Sequence, residues 1–228
     1  MQQDDVAQRK EIRAVPLFFC LRMKIWKFTS RTSFSSNVYV VESEKNFLVD
    51  PGYASEEIFS RIRKIGGLDF ILLTHGHFDH ILGVDDFVRT FNCPVYASRE
   101  EIHLIERPNA NGSKMFLNRL FVPQCRIEVL DEGEQNLSGV AFDAIEVPGH
   151  TRGSLCYFFK REGLLFVGDL VFADSIGRSD LPGGSEREIA DSLARLRSMP
   201  FPDSTKVCPG HGPVLSFGEL KKRNPFFK

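Results

Sequence analysis

Asp69-Phe-Ile-Leu-Leu-Thr74 is an almost unbroken apolar run, and its carboxyl end opens into His75-Gly-His77-Phe-Asp79-His80. A short run of this kind fits a strand covered on both faces, so the hexapeptide belongs to the rim of a layered core. Histidine is the commonest protein metal ligand. Five of the six histidines stand where a metal could use them, three in the hexapeptide and two beside glycines, in Pro148-Gly149-His150-Thr151 and Pro209-Gly210-His211-Gly212. Gly168-Asp169 lies between those two. His103 is left over, and with Glu100, Glu101 and Glu106 nearby it reads as a surface helix residue.

In an extended segment, side chains two residues apart project to the same side, so His75 and His77 can hold one ion together. Asp79 and His80 lie where the chain turns into a helix and reach a second ion from another angle. Gly76 permits the tight path. His150, Asp169 and His211 each follow a strand-like run, which places them on loops at one edge of the sheets. The ligand count closes with His75, His77 and His150 on one ion, Asp79, His80 and His211 on the other, and Asp169 as the bridge. Each ion then lacks one or two ligands, which marks a catalytic rather than a structural site. Nitrogen and oxygen donors without thiolate favour zinc, with iron or manganese as alternatives. Two divalent cations against two carboxylates leave the centre net positive, able to generate a nucleophile and polarise a carbonyl.

Around this cluster the pattern is regular. Lys24–Thr29 alternates like a strand, and Asn37–Glu42 with Asn46–Asp50 reads as a hairpin. Ser55 caps a helix to Ile65, with Ile58, Ile62 and Ile65 on one face, and Gly66-Gly67 ends it. Ile81–Phe91 reads as one helix, Pro94–Ala97 as a short strand and Ser98–Ile105 as a second capped helix. Residues 107–124 mix turn formers with aromatics and read as an irregular connection, with a flap as the alternative. Strands at Arg126–Leu130, Val140–Val147, Ser154–Lys160 and Leu164–Val167, a helix over Glu186–Ser198 and a strand at Thr205–Cys208 complete the set. Two mixed sheets packed together, with helices on their outer faces, would bury these patterns.

THxHxDH after a buried strand, then GHT, GD and GHG in that order, resembles the metallo-β-lactamase superfamily over about residues 23 to 228. The resemblance implies an α/β fold (α+β in some schemes), a four-layer αβ/βα sandwich of two mixed β-sheets flanked by helices, as one domain over residues 23–228. Asn37-Val-Tyr39 and Leu48-Val-Asp50-Pro-Gly52 look like its opening elements, and by analogy Asp50 would hold the histidine loop rather than a metal. Asp169 stands where one lactamase subclass carries cysteine, and His77 where flavodiiron proteins carry glutamate, so neither group is indicated. Only 41 residues separate Asp169 from His211, too few for the inserted domain of the RNA- and DNA-processing branch.

Gly177-Arg178-Ser179-Asp180-Leu181-Pro182-Gly183-Gly184 resembles the GR-x-D-x-PGG segment of small bacterial glyoxalase II-like (hydroxyacylglutathione hydrolase-like) hydrolases, and Asn224-Pro-Phe-Phe227 their endings. Longer members carry a helical domain with basic residues for glutathione, whereas this sequence ends soon after His211. Arg152 stands where the family's GHT-x-G usually has proline. The likeness implies hydrolysis of S-D-lactoylglutathione or a related thioester by a metal-bound hydroxide, with Asp79 and Asp169 as the catalytic carboxylates. Arg178 would clamp a substrate carboxylate or else pair with Asp180, and Phe78 would line the pocket. Rival readings are a persulfide dioxygenase with one iron on His75, His150 and Asp169, a lactonase or other ester hydrolase, and a noncatalytic metal-binding protein.

Composition narrows the setting. Lys+Arg total 29 against 30 Asp+Glu, so no basic face for nucleic acid is indicated. No apolar run approaches the roughly 18 residues that span a bilayer. The five cysteines are odd in number and never in a CxxC pair, which reads as reduced thiols in the cytoplasm. A monomer or homodimer acting on a small molecule, with no nucleic acid or membrane partner, fits these facts. Residues 1–22 are expected to form a flexible extension that resembles a signal peptide only loosely, because Arg22 and Lys24 follow its short apolar stretch. Cys208 and Tyr157–Phe159 read as buried core.

Overall fold

Alternation along the strands sorts the large apolar side chains into layers. The computed structural model describes residues 16–20, 23–30 and 36–228. Its first sheet has seven strands in chain order: β1 (Pro16–Cys20), β2 (Met23–Thr29), β3 (Asn37–Glu42), β4 (Phe47–Val49), β5 (Phe70–Leu72), β6 (Val95–Ala97) and β7 (Ile127–Val129). Pairing is antiparallel from β1 to β4 and parallel from β4 to β7. On β2 and β3, Met23, Ile25, Tyr39 and Val41 face one core while Trp26, Phe28, Val38 and Val40 face another, as the two-residue period of a strand requires. The expected extension over residues 1–22 falls largely outside the described residues; within it, Pro16–Cys20 is an edge strand on β2.

Outside this sheet lie α1 (Glu56–Lys64), α2 (Phe78–Ile81), α3 (Val84–Phe91), α4 (Arg99–Ile105) and α5 (Ser113–Leu117). Ser55 caps α1 by accepting from Ile58 N, and Ile58 and Ile62 are buried. The single helix expected over Ile81–Phe91 is two, broken at Leu82-Gly83. Gly83 N donates to Pro51 O, and a Cβ there would sit 2.7 Å from the Tyr53 backbone. The passing 51–54 segment sets that break, which periodicity does not report.

The second sheet runs β13 (Leu215–Ser216), β12 (Lys206–Pro209), β11 (Leu164–Gly168), β10 (Leu155–Phe159), β9 (Val140–Glu146) and β8 (Gly133–Leu137), with β11 and β12 its parallel pair. Its outer face is covered by α6 (Glu186–Ser198) and α7 (Phe217–Arg223) through Ile189, Leu193, Leu196, Phe217 and Leu220. Leu155, Tyr157 and Phe159 instead face Tyr39, Phe47 and Phe70 of the first sheet. The result is the four-layer αβ/βα sandwich, with two mixed sheets enclosing one core and each backed by helices. Cys208 is buried in that core, Phe227 packs under α6 and α7, and Phe226 is exposed. Cys93, Cys125, Cys156 and Cys208 are free thiols. No helix among the described residues is long and apolar enough to cross a membrane.

Candidate metal centre

At one rim of the sandwich the two sheets are sewn together. Tyr39 of the first sheet donates its hydroxyl to Pro209 O at 2.7 Å, and Tyr157 of the second donates to Leu73 O at 2.5 Å. Asn37 Nδ2 donates to Pro209 O and Gly212 O, each at 3.0 Å. Leu73 and Pro209 lead into Thr74-His75 and Gly210-His211, so these buried bonds fix where both loops begin.

Seven side chains converge above that seam. His75 and His77 leave the end of β5, and Asp79 and His80 ride on α2. His150 comes from the loop after β9, Asp169 directly follows β11, and His211 follows β12. His150 Nε2 lies 2.8 Å from His77 Nδ1 and 3.2 Å from His75 Nε2. In the second group, His211 Nε2 is 3.2 Å from Asp79 Oδ2, and His80 Nε2 is 3.8 Å from the same oxygen. Asp169 stands between the groups, with Oδ1 3.3 Å from His80 Nε2 and Oδ2 3.4 Å from His211 Nε2 and 3.6 Å from His150 Nε2. His75, His77 and His150 form one potential metal cluster, Asp79, His80 and His211 another, and His75, His80 and Asp169 link them. His103 is exposed and takes no part.

Electrostatics divides the groups. Burial pushes His75 well below the usual imidazole range and His77 to about 3, and lowers His150, so all three are neutral lone-pair donors at pH 7. Burial opposes charge on His80 too, but Asp169, Asp50 and Asp79 outweigh it and hold that ring well above its ordinary value. His211, likewise opposed by burial, is raised to about 9 by Asp169 and Asp79. Burial works against both carboxylates, yet His80 and His211 hold Asp79 low and Asp169 well below the carboxylate range. One group thus offers neutral nitrogens, while in the other two carboxylates are balanced by two protonated imidazoles, whose protons a bound cation would replace.

Whether such a set suits metal ions can be read from its unmet bonds. Among the described residues, the buried side-chain atoms without a hydrogen-bond partner include His77 Nε2, His80 Nε2 and Asp169 Oδ1. Folded proteins leave few such atoms, and three here belong to one cluster. The donor types match zinc, and iron or manganese also fit. Close approach is enforced by glycine: a Cβ on Gly210 would collide with the Asp169 carboxylate and stand 2.7 Å from His80.

Behind the candidate ligands, oriented partners fix the His80 and His150 rings. Asp50 adopts a left-handed φ of 53° and accepts from Thr74 N and Thr74 Oγ1 at 2.7 Å and from His80 Nδ1 at 3.0 Å. His150 Nδ1 donates to the backbone carbonyl of Arg178 at 2.7 Å. The Arg178 side chain forks onto Asp180, with both nitrogens at 2.7 Å. Such partners set tautomer and ring angle at metal sites.

A cavity of about 210 Å³ opens over the cluster, lined beyond the ligands by Phe78, Gly112, Phe116, Arg178 and Leu181. Phe116, on α5, stacks on Phe78 with centroids 5.5 Å apart. Sequence reasoning singled out Phe78 and Arg178 but not Phe116; aromatic content in residues 107–124 was the available signal.

Comparison with known proteins agrees with this arrangement. The family model described as the metallo-beta-lactamase superfamily matches residues 31–211. The hydroxyacylglutathione hydrolase GloC of Haemophilus influenzae is 31% identical, over 86% of this chain and 94% of that protein. Among solved structures, the B3 metallo-beta-lactamase BLEG-1 is similar with a TM-score of 0.80 and 33% identity, covering 86% of this chain and 96% of its own. The protein TTHA1623, crystallised in a di-iron-bound form, gives a TM-score of 0.77 and 34% identity over 87% and 98% of the two chains. The ordered ligand loops, the sandwich that carries them and these matches lead to one conclusion: the chain belongs to the metallo-beta-lactamase superfamily, as a metal-dependent hydrolase with a candidate binuclear site.

Proposed function

We propose that the protein is a glyoxalase II-like thioesterase that hydrolyses S-D-lactoylglutathione or a related thioester, using two divalent cations, zinc before iron or manganese. The observation that carries this reading is Asp169, placed within 3.6 Å of nitrogens from both histidine groups. Bound there, the ions would supply a Lewis acid and a hydroxide at neutral pH. His75, His77 and His150 present lone pairs, Asp79 and Asp169 present charge, and the Arg178 carbonyl keeps the His150 ring aimed. Among the described residues, no acidic side chain other than the candidate ligands lines the cavity. A thiolate leaves without help from a strong protein acid, so a thioester suits such a cavity better than a substrate with a poor leaving group. The likeness to GloC supports the same substrate class, and the free thiols support a cytoplasmic setting.

Phe78, Phe116 and Leu181 form the apolar wall against which the substrate packs. Arg178 offers a guanidinium at the rim, and a substrate carboxylate would share or displace Asp180, its partner in an exposed pair of small worth. Phe116→Ala is expected to raise KM about three- to tenfold with kcat little changed, matching the roughly 0.5–1.5 kcal/mol of an aromatic contact; steady-state kinetics checks it.

The substrate class is tested by a panel of glutathione thioesters, lactones and β-lactams on zinc-loaded protein. Thioesters should lead in kcat/KM by at least about tenfold, a difference of roughly 1.4 kcal/mol. Faster cleavage of a lactone or β-lactam overturns the reading. So does oxygen uptake with glutathione persulfide by a chain holding one iron.

A further inference from the structure

Glu101 is fully buried in α4, although a glutamate almost never is unless paired. Burial raises its carboxyl above the usual carboxylate range, and hydrogen bonds from Thr151 and the Gly76 and Gly153 amides oppose that rise. Gly76 N donates to Glu101 Oε2 at 2.6 Å, and Gly153 N donates to Oε1 at 2.7 Å. Gly76 separates His75 from His77, and Gly153 follows His150 by three residues, so each carboxylate oxygen grips a different ligand loop.

The neighbourhood is built for that grip. Ser98, the α4 N-cap, accepts from Glu101 N at 3.2 Å and donates to Gly153 O at 2.7 Å. A Cβ on Gly76 would lie 2.6 Å from the Ile105 side chain, and one on Gly153 would lie 2.9 Å from Glu101 N. The Gly153 loop is therefore pressed onto the start of α4 and the Gly76 loop onto its end. Desolvating a carboxylate without a counter-ion is costly. A neutral side chain would avoid that cost, but none accepts two converging N–H groups with two full acceptor oxygens.

We propose that Glu101 is a positioning residue that locks the His75–His77 loop to the His150 loop and so sets the geometry of one cation site of the two. The inference rests on the two-ion reading of the cluster. Its selectivity follows from the contacts: Glu101 reaches both loops of the His75/His77/His150 group, whereas Asp79 is held through Ser36, His80 through Asp50 and His211 through the 209–212 segment.

The test is titration of metal-free protein with cobalt(II), followed by ligand-field absorption and calorimetry. Wild type should take up two ions. Glu101→Gln keeps the shape but turns an amide NH2 toward one of the two N–H donors, and it should weaken one uptake step ten- to a hundredfold, the range for partners behind metal ligands, leaving the other within about twofold. Should that variant not fold, Ser98→Ala loosens the same turn of α4 and should weaken the same step by a smaller factor. Leu193→Ala, a cavity in the helix layer of the other sheet, controls for lost stability. Two wild-type affinities in Glu101→Gln overturn the proposal, as does equal weakening of both steps or a matching change in Leu193→Ala. Uptake of fewer than two ions by wild type would instead overturn the two-ion reading.

Discussion

Asp169→Asn is expected to lower kcat/KM by on the order of 10³-fold, about 4 kcal/mol of transition-state stabilisation, and to reduce bound metal below two ions. The substitution keeps the shape of the side chain and removes its charge. That charge lies 3.3–3.6 Å from nitrogens of His80, His211 and His150, and Oδ1 has no hydrogen-bond partner among the described residues. Among the described residues no second carboxylate reaches both groups: Asp79 approaches His80 and His211 but is not part of the His75/His77/His150 cluster. Asp79→Ala should therefore abolish measurable turnover as well, with the ion held by His75, His77 and His150 retained. Thioester turnover and metal analysis on purified variants check both expectations, and activity within tenfold of wild type in each would refute the mechanism.

The second large effect concerns stability. Asp50→Ala should destabilise the metal-free protein by about 3–5 kcal/mol, because it strips three buried donors of their one carboxylate. Those donors are Thr74 N, Thr74 Oγ1 and His80 Nδ1. The expected fall in Tm is on the order of 10 °C for a chain of this size, read by thermal and urea melts. Relief of the left-handed backbone at Asp50, φ 53°, cannot offset this, since alanine is no more at ease there. A change below about 1 kcal/mol would mean that water replaces the carboxylate and that Asp50 does not hold the histidine loop.

Much of this was legible in the sequence, for identifiable reasons. Capped helices with clean apolar faces were bounded closely: Ser55 and Ser98 are caps, and Glu186–Ser198 is α6 to the residue. Strand β8, Gly-Glu-Gln-Asn-Leu, was missed because its side chains are half-buried or exposed and only pairing with β9 makes it a strand. Helix α7 was missed although Ser216 and Glu219 form a capping box, a readable local signal. The candidate cluster was visible because scarce residue types stand at loop starts in a fixed order. Glu101 was not, since one acid among Arg99, Glu100 and His103 looks solvated; its spacing from buried Leu104 and Ile105, three and four residues on, was the only clue to its inward face. The Arg178 carbonyl that steadies His150 is backbone and leaves no trace in residue type.

Between the sheets runs a column of phenylalanines: Phe47 stacks between Phe70 and Phe159 at 5.0 Å each, and Phe142 continues it at 5.1 Å from Phe159. The two leaves are thus bound along a greasy spine, and at the rim the candidate ligands would add a clasp of ions to the seam of hydrogen bonds. Without ions the bonds of Tyr39, Tyr157 and Asn37 across that rim remain, so the apo chain should loosen first in the loops that carry His75, His150 and His211, before its spine gives way.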